Sequence, residues 1–214
     1  MSQEFIKRIL SSIVIIPIAF FFIIKGSIFF NFFILAILTI TLYEWHFLSL
    51  KKIYYLPGFI FIIFSLYTCY FFRIEGDYII FLLILITCIS TDIGGYVFGK
   101  ILKGPKLTKI SPNKTYAGMI GSFLISVITA SLYLKNLSFF SLSKIDGELG
   151  IQIMIIVLLI SFASQSGDLV ISFFKRKSKI KNTGNIIPGH GGLLDRIDGM
   201  IFAFPFTYIL LKVL

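Results

Sequence analysis

The sequence has few of the residues that a soluble protein needs. Of its 214 residues only 14% are charged and 57% are hydrophobic, and the mean hydropathy is +0.95. This composition excludes an ordinary soluble globular domain. There are two cysteines, Cys69 and Cys88, and both lie in apolar runs. A disulfide framework and a Cys-x-x-Cys metal site are therefore excluded, and both thiols are expected to be small buried side chains.

Acidic residues are also scarce, because 10 Asp and Glu stand against 20 Lys and Arg, a net charge of +10. A membrane protein collects Lys and Arg in its cytoplasmic loops for topological reasons alone. The net positive charge therefore gives no reason to expect nucleic acid as a partner.

Apolar runs separated by charged residues recur along the whole chain, and each approaches the length that crosses a bilayer. The predicted spans are residues 9–24, 28–45, 53–72, 78–99, 117–134, 150–174 and 199–214. The first run follows Lys7 and Arg8 without a small-residue cleavage pattern, so it is expected to be an uncleaved span. The expected fold is all-α: a polytopic membrane protein with a bundle of about seven transmembrane helices, forming a single membrane domain over 1–214.

The basic residues also predict an orientation. With the N-terminus inside, fifteen of the 20 Lys and Arg fall on the cytoplasmic side and five on the outer side. This topology places the loops over 101–116 and 175–198 inside and the loop over 135–149 outside.

Two carboxylates lie inside predicted spans, about two helical turns from the cytoplasmic end. Asp92 precedes the next lysine by eight residues and Asp168 by seven. An acid at this depth costs roughly 1 to 3 kcal/mol on insertion, so it is expected to face the bundle interior, a cavity or a partner charge. Glu44 is placed similarly beside two amphipathic rings, and both an interfacial anchor and a support for a site remain open for it.

The surroundings of Asp168 and Asp92 differ. Ser161, Gln165, Asp168, Ser172 and Lys175 recur at helical spacing and share one face, which must meet something polar. Two glycines, Gly95 and Gly99, form a GxxxG pair on the Asp92 face. They allow close approach of another helix or of a ligand, and packing alone is the commoner reason for such a pair.

The predicted loop over 175–198 carries most of the polar chemistry. It contains five Lys and Arg over 175–181, the turn segment Pro188-Gly-His190-Gly191-Gly192, and the segment Asp195-Arg196-Ile-Asp198. Clustered cations, glycines that let backbone NH groups approach an anion, and two acids at i, i+3 suit a metal-bound polyphosphate. Topology or attraction to anionic lipid explains the cations alone, but neither explains the histidine or the acids.

These residues carry a resemblance to a known family. The segments Ser172-Phe-Phe-Lys175-Arg176, Lys181-Asn182-Thr183-Gly184 and Pro188 to Asp198 resemble the signature of the phosphatidate cytidylyltransferases, also called CDP-diacylglycerol synthases. Thr91 to Lys100, Ser111 to Gly118 and Ser166-Gly-Asp168 resemble the family's other blocks. The likeness runs over about 90–205, while 1–90 match loosely as apolar N-terminal spans. The chain departs from the family pattern at Asn182, usually Asp, and at Ala117, usually Glu.

The resemblance implies that CTP and phosphatidate give CDP-diacylglycerol and pyrophosphate, with Mg²⁺ required and Mn²⁺ as a substitute. Among the acids, it implies that Asp168 and Asp195 bind metal, that Asp198 supports them or joins the coordination, and that Asp92 orders the site or joins the metal cluster. The cations that it implies neutralise phosphates are Lys175, Lys181, Arg176 and Arg196, with Lys114 assisting. It implies that His190 bonds phosphate or the leaving pyrophosphate, and that Ser172, Gly191 and Gly192 help to bind substrate. The implied partners are CTP, phosphatidate and membrane lipid, and a homodimer is left open. The implied location is the bacterial inner membrane, with the active site on the cytoplasmic side.

Other functions fit part of the sequence. A CTP-dependent kinase of a lipid alcohol shares the nucleotide but needs a base for its hydroxyl nucleophile. A transporter of an anionic solute also explains intramembrane acids, although the polar residues gather at one membrane face instead of lining a path through. An inactive scaffold is a third possibility, which Asn182 and Ala117 keep open.

Overall fold

The computed structural model describes residues 3–141 and 147–213. These residues form seven α-helices: α1 (Gln3–Lys25), α2 (Ser27–Ser49), α3 (Tyr55–Ile74), α4 (Tyr78–Leu102), α5 (Tyr116–Ser141), α6 (Gly147–Lys177) and α7 (Leu194–Val213). The described residues contain no strand beyond two isolated bridges. The predicted all-α architecture of about seven helices is confirmed. Part of the outer loop predicted over 135–149 lies outside the described residues.

The helices extend past the apolar runs that predict them. The clearest case is α7, which begins at Leu194, whereas the apolar run begins at 199. A charged residue ends an apolar run without ending the helix, and acidic residues are favourable in the first turn because of the helix dipole. Asp195 and Asp198 therefore lie in the first turns of a helix and not in the loop before it.

Five helices are long and apolar enough to cross a membrane: α2, α3, α4, the Tyr116–Asn136 part of α5 and the Gly150–Lys177 part of α6. The apolar part of α1, Leu10–Lys25, is shorter. Large apolar side chains are exposed along the helices, for example Ile60 at 68% and Ile120 at 55%. Such an exterior is stable in lipid and not in water. The chain is an integral membrane protein.

The chain divides into two compact units. Unit 1 comprises Met1–Asp77 and Phe173–Asp198. In it α1 packs on α2 and α2 on α3. The Arg73 side chain of α3 donates to the Ile23 carbonyl near the end of α1, at 2.8 Å from Nε and 2.6 Å from Nη2. It thereby satisfies one of the backbone acceptors that a helix end leaves free.

Unit 2 comprises Tyr78–Ser172 and Gly199–Leu214. Its helices α4 and α5 approach closely, because a Cβ atom at Gly94 would lie 2.5 Å from the Gly121 carbonyl oxygen and one at Gly95 would lie 2.8 Å from Ser122 Oγ. The Ser122 hydroxyl donates to the Thr91 carbonyl at 2.7 Å. Gly95, one of the two glycines of the α4 pair, therefore lies at a helix–helix contact.

Candidate functional site

The segment between α6 and α7 in unit 1 folds into a compact turn. The Ile187 NH donates to the Gly191 carbonyl at 3.0 Å, and the His190 NH donates back to the Ile187 carbonyl at 3.0 Å. Gly189 has φ +75° and Gly191 φ +91°, a region that side chains other than glycine rarely adopt. The glycines are thus required by the turn itself, which presents His190 between them.

Asp195 closes this segment through both of its carboxylate oxygens. Oδ1 accepts from Lys175 Nζ at 2.7 Å, and Oδ2 accepts from the NH of Thr183 at 2.8 Å and of Gly192 at 3.1 Å. The exposed fractions of the Lys175 and Asp195 side chains are only 10% and 6%. A buried ion pair of this kind is tolerated because further hydrogen bonds satisfy it. Lys175, predicted to neutralise phosphate, neutralises Asp195 in this structure.

Glu44 lies against the same segment, although it comes from near the C-terminal end of the chain's second helix. Its carboxylate accepts 2.8 Å hydrogen bonds from the Thr183 hydroxyl and from the backbone NH groups of Leu193 and Leu194. The residue is only 1% exposed. Glu44 therefore contacts the segment that carries the predicted site residues, and both alternatives that the sequence leaves open for it stay predictions. The signal in the sequence is that Glu44 is the one acid within the second apolar run.

The ring of His190 lies against α1. Ser11 Oγ is 2.8 Å from Nδ1, and Ser12 Oγ is 3.4 Å from Nε2. Arg8 of the same helix donates from Nε to the Gly189 carbonyl at 2.8 Å. Sequence reasoning treats Arg8 only as a topological charge and assigns nothing to the two serines, because the sequence gives no sign that α1 meets a turn about 180 residues away.

Burial lowers the pKa of His190 below its ordinary value of 6.5. The positive charges of Arg196 and, to a smaller extent, Arg8 lower it further, while a hydrogen bond with the Pro188 backbone acts in the opposite direction. The neutral imidazole is therefore the favoured form at neutral pH. It can donate one hydrogen bond and accept another.

The remaining cations predicted in this unit lie at the protein surface, and one of them, Arg176, donates from Nη1 to the Ile180 carbonyl at 3.2 Å. Arg176, Lys181 and Arg196 are exposed. Arg196 donates from Nη2 to the His190 carbonyl at 2.7 Å, which holds its guanidinium beside the turn. Asp198, by contrast, is buried, with 8% of its surface exposed. An anion in solution can therefore reach Arg176, Lys181 and Arg196, whereas Asp198 is enclosed by protein.

Asp168 belongs to unit 2, where it is paired with Lys114. The ammonium of Lys114 is 2.6 Å from Oδ2, and the Ser172 hydroxyl donates to Oδ1 at 3.3 Å. The exposed fraction is 30% for the Asp168 side chain and 25% for that of Lys114. Further along the same face of α6, the Ser161 hydroxyl is 2.8 Å from that of Thr91 in α4. The polar stripe of α6 therefore meets polar partners, as its spacing predicts.

The donor set in unit 2 is compatible with one Mg²⁺ that completes its shell with substrate and water. Within each unit, the described residues include no group of three His, Cys, Asp or Glu side chains able to hold a metal by themselves. Mg²⁺ commonly uses one or two carboxylates together with substrate phosphates. The Lys114 ammonium already stands where a cation binds Asp168, so the carboxylate and the charge suit the ion. Asp92 is exposed on α4.

Asp195 is a less available ligand than Asp168, because its side chain is 6% exposed against 30% and two backbone NH groups bond it in addition to a lysine. A metal ion bound there would displace at least one of these donors. The predicted metal role of Asp195, and the sharing of one ion with Asp168, stay predictions.

A cavity of about 260 Å³ lies between α5 and α6 in unit 2. Its lining is mostly apolar and includes Val127, Leu134, Ile153 and Val157. None of the predicted site residues lines it, so it is not the candidate site.

The seven helices, five of them long and apolar enough to cross a membrane, define a class, that of polytopic α-helical membrane proteins. The particular family is shown by sequence: the profile described as "Cytidylyltransferase family" matches residues 53–214. The chain belongs to this family.

Several relatives carry the name phosphatidate cytidylyltransferase. The protein from Rickettsia felis is 35% identical over 214 residues, covering 97% of this chain and 92% of the relative. The protein from Bacillus subtilis is 41% identical over 126 residues, covering 57% of this chain and 43% of the relative. The one from Staphylococcus haemolyticus is 40% identical over 147 residues, with coverages of 66% and 53%. The matches thus span about half of the Bacillus and Staphylococcus proteins and nearly all of the Rickettsia protein.

Proposed function

We propose that this chain is a phosphatidate cytidylyltransferase, which transfers CMP from CTP to phosphatidate and releases pyrophosphate. The observation that carries the proposal is the end of α6 with the segment that follows it, where Arg176, Lys181 and Arg196 are exposed and Arg196 is held against the His190 backbone. The turn contains the signature motif, and relatives named for this activity match the chain along its length. The reaction belongs to phospholipid biosynthesis.

The reaction requires neutralisation of the negative charge of the two substrates more than it requires a strong base. A phosphate oxygen of phosphatidate attacks the α-phosphorus of CTP, a P–O bond forms, and the bond to the pyrophosphate breaks. The nucleophile is a phosphate monoester with a second pKa near ~6, so it is largely dianionic at neutral pH. The main obstacle is the repulsion between two polyanions, which fixed cations reduce.

The side chains divide this work. Arg176, Lys181 and Arg196 neutralise phosphate oxygens, and Arg176 and Arg196 can bind them through two parallel hydrogen bonds. The neutral imidazole of His190 would donate a hydrogen bond to the leaving pyrophosphate from Nε2, in exchange for its longer contact with the Ser12 hydroxyl at 3.4 Å. Lys114 would be able to contact a substrate phosphate if a divalent ion were bound by Asp168.

Asp168 is the residue that would hold Mg²⁺, and the resemblance adds Asp195 as a second carboxylate. Bound there, the ion would offset the negative charge of the triphosphate. Because the ion also needs oxygens from the nucleotide, metal binding and CTP binding are expected to depend on each other.

The membrane context completes the proposal. The diacyl tails of phosphatidate stay in the bilayer beside the apolar helices while the headgroup reacts at the surface. We place the reaction on the cytoplasmic side of a bacterial inner membrane, because fifteen of the 20 basic residues then lie inside.

The experiment is a turnover assay with the purified protein, labelled CTP, phosphatidate and Mg²⁺. The proposal predicts a lipid-linked product, one pyrophosphate released for each lipid modified, and no reaction without a divalent ion. Transfer to a lipid alcohol instead would favour the kinase. Absence of turnover with Mg²⁺ and with Mn²⁺ would favour the inactive scaffold.

A further inference from the structure

We propose that Glu44 is a positioning residue for the site. Its carboxylate projects from α2 and hydrogen-bonds the segment between α6 and α7 and the start of α7. These bonds keep the phosphate-binding side chains in their arrangement. The inference rests on the proposed function, because the reaction affected is the transfer of CMP. The hydrogen bonds of Glu44 from which it is argued all lie within unit 1.

The first observation is that Glu44 caps a helix from a distance. The first turn of a helix leaves backbone NH groups without partners, and a local Ser, Thr, Asp or Asn side chain usually accepts from them. At the start of α7 stand Leu193 and Leu194, whose side chains cannot accept. Glu44, 149 and 150 positions earlier in the chain, accepts from both NH groups at 2.8 Å. A carboxylate at this end also interacts favourably with the helix dipole.

The second observation is that Thr183 lies between two carboxylates. Its hydroxyl donates to Glu44 at 2.8 Å, and its NH donates to Asp195 at 2.8 Å. Thr183 is itself buried, with 6% exposed. The segment is therefore fastened on one side to α7 through Asp195 and on the other to α2 through Glu44.

The third observation concerns the glycines of the motif. A Cβ atom at Gly192 would collide with the Thr183 hydroxyl and the Glu44 carboxylate, and one at Gly184 would lie 3.0 Å from Glu44 Oε1. The backbone therefore packs directly on the carboxylate. The absence of a side chain at Gly192 is explained by Glu44, in addition to any role in approaching an anion.

These contacts bear on function because the anchored residues alternate with the predicted phosphate ligands. Lys181 precedes Thr183 by two positions, His190 precedes Leu193 by three, and Arg196 follows Leu194 by two. Loss of the Glu44 hydrogen bonds would leave each of these phosphate-binding residues present, but the backbone around it would be held less firmly in place. Catalysis that depends on fixed cations loses rate when their positions shift by about 1 Å.

Glutamine is the informative replacement. It has nearly the shape of glutamate, but one oxygen becomes an NH₂ group that only donates. All three partners of Glu44 are donors, so Glu44→Gln turns at least one hydrogen bond into a donor–donor contact. Glu44→Asp keeps the charge but shortens the reach, and it should restore part of the function.

The experiment compares the full-length wild type, Glu44→Gln, Glu44→Asp and the control Thr41→Val. Thr41 is also buried on α2, and its hydroxyl bonds the Ile37 and Leu38 carbonyls of its own helix. For each detergent-purified protein, kcat and KM for CTP are measured, together with the melting temperature and hydrogen exchange of peptides covering 181–196 and α4–α5.

Glu44→Gln is expected to lower kcat/KM for CTP about 10-fold or more, the effect of losing a hydrogen bond to a charged group. Exchange should become faster in 181–196 and stay unchanged in α4–α5. Thr41→Val should behave as the wild type. If Glu44→Gln yields too little folded protein, Thr183→Val removes only the hydroxyl donor and should give a smaller loss in the same direction.

Wild-type kcat/KM and wild-type exchange in Glu44→Gln would overturn the proposal. So would faster exchange spread over all peptides, with normal turnover for each folded molecule, because Glu44 would then contribute only stability. If the wild type itself does not transfer CMP, the proposed function fails, and exchange alone decides the inference: a local increase in 181–196 supports it and no increase contradicts it.

Discussion

The ion pair between Lys114 and Asp168 makes a direct prediction about divalent ions. Asp168→Asn removes the charge that would hold Mg²⁺, and we expect turnover to fall about 100-fold or more, since even the loss of an outer-shell partner costs about 10- to 100-fold. Higher Mg²⁺, or Mn²⁺ in its place, should recover part of the activity because nucleotide phosphates still hold the ion. Steady-state turnover against metal concentration measures this.

The matched control is Glu75→Gln, an exposed acid beyond the end of α3. It should leave both turnover and metal dependence unchanged. A full loss in Asp168→Asn that no metal concentration alters would contradict metal binding by this carboxylate. Each variant must first run as monodisperse protein in detergent, because removal of a partly buried charge also changes folding.

His190 predicts how stability depends on pH. Its pKa in the folded protein is below the ordinary value of 6.5, so the unfolded chain takes up the proton first as pH falls. Protonation of the unfolded chain then opposes folding. The free energy of unfolding is expected to fall as the pH drops from about 6.5 to the lower pKa of the folded protein, and to level off below that pKa. Melting temperatures of the wild type and His190→Gln, measured from pH 8 to pH 5, isolate this contribution.

In His190→Gln the acid-side decline should be shallower, since the other titrating groups are common to both proteins. Parallel curves would show that His190 has the same pKa in the folded and unfolded chains. A steeper decline in the variant would mean that the pKa is raised on folding, which would contradict the burial and the two arginines as the dominant influences.

At the scale of helices, the contact between α4 and α5 depends on glycine. Gly94→Ala would place a methyl group 2.5 Å from the Gly121 carbonyl oxygen, and backbone cannot move aside as a flexible side chain can. We expect a loss of about 1 to 3 kcal/mol in stability, as for other overpacked interiors. Unfolding of the detergent-solubilised protein measures it.

Gly99→Ala is the comparison, because its methyl group would meet Thr115 Oγ1 at 3.3 Å, a contact that a side chain can relieve. It should cost clearly less than Gly94→Ala. Equal losses would contradict the close backbone approach at Gly94 as the cause, because helix propensity by itself favours alanine over glycine at both positions.

The same scale shows what the sequence could and could not predict. Apolar runs predict where helices exist, and all seven are present. They do not predict where α7 begins, because the partner of its first NH groups is Glu44, in another helix. Motif residues were recognisable as a group, but the burial of Lys175 against Asp195 depends on the folded turn. The contacts of α1 with His190 were equally beyond local patterns.

For the whole molecule, the basic residues predict the orientation in the membrane. Asn185 is exposed in the turn segment, and Glu75 is exposed at the opposite predicted side. In intact cells, Glu75→Cys should react with an impermeant thiol reagent, and Asn185→Cys should react only after the cells are opened. The wild type, with Cys69 and Cys88, gives the background. The reverse pattern would contradict the topology and the cytoplasmic placement of the reaction.

The position of a label in CTP tests the central claim most directly. Purified protein is incubated with phosphatidate and Mg²⁺, and with CTP labelled either at the α-phosphate or at the γ-phosphate. CMP transfer predicts that the α-label enters the lipid and the γ-label leaves as pyrophosphate. Entry of the γ-label into lipid, or no entry of either label, would contradict the account.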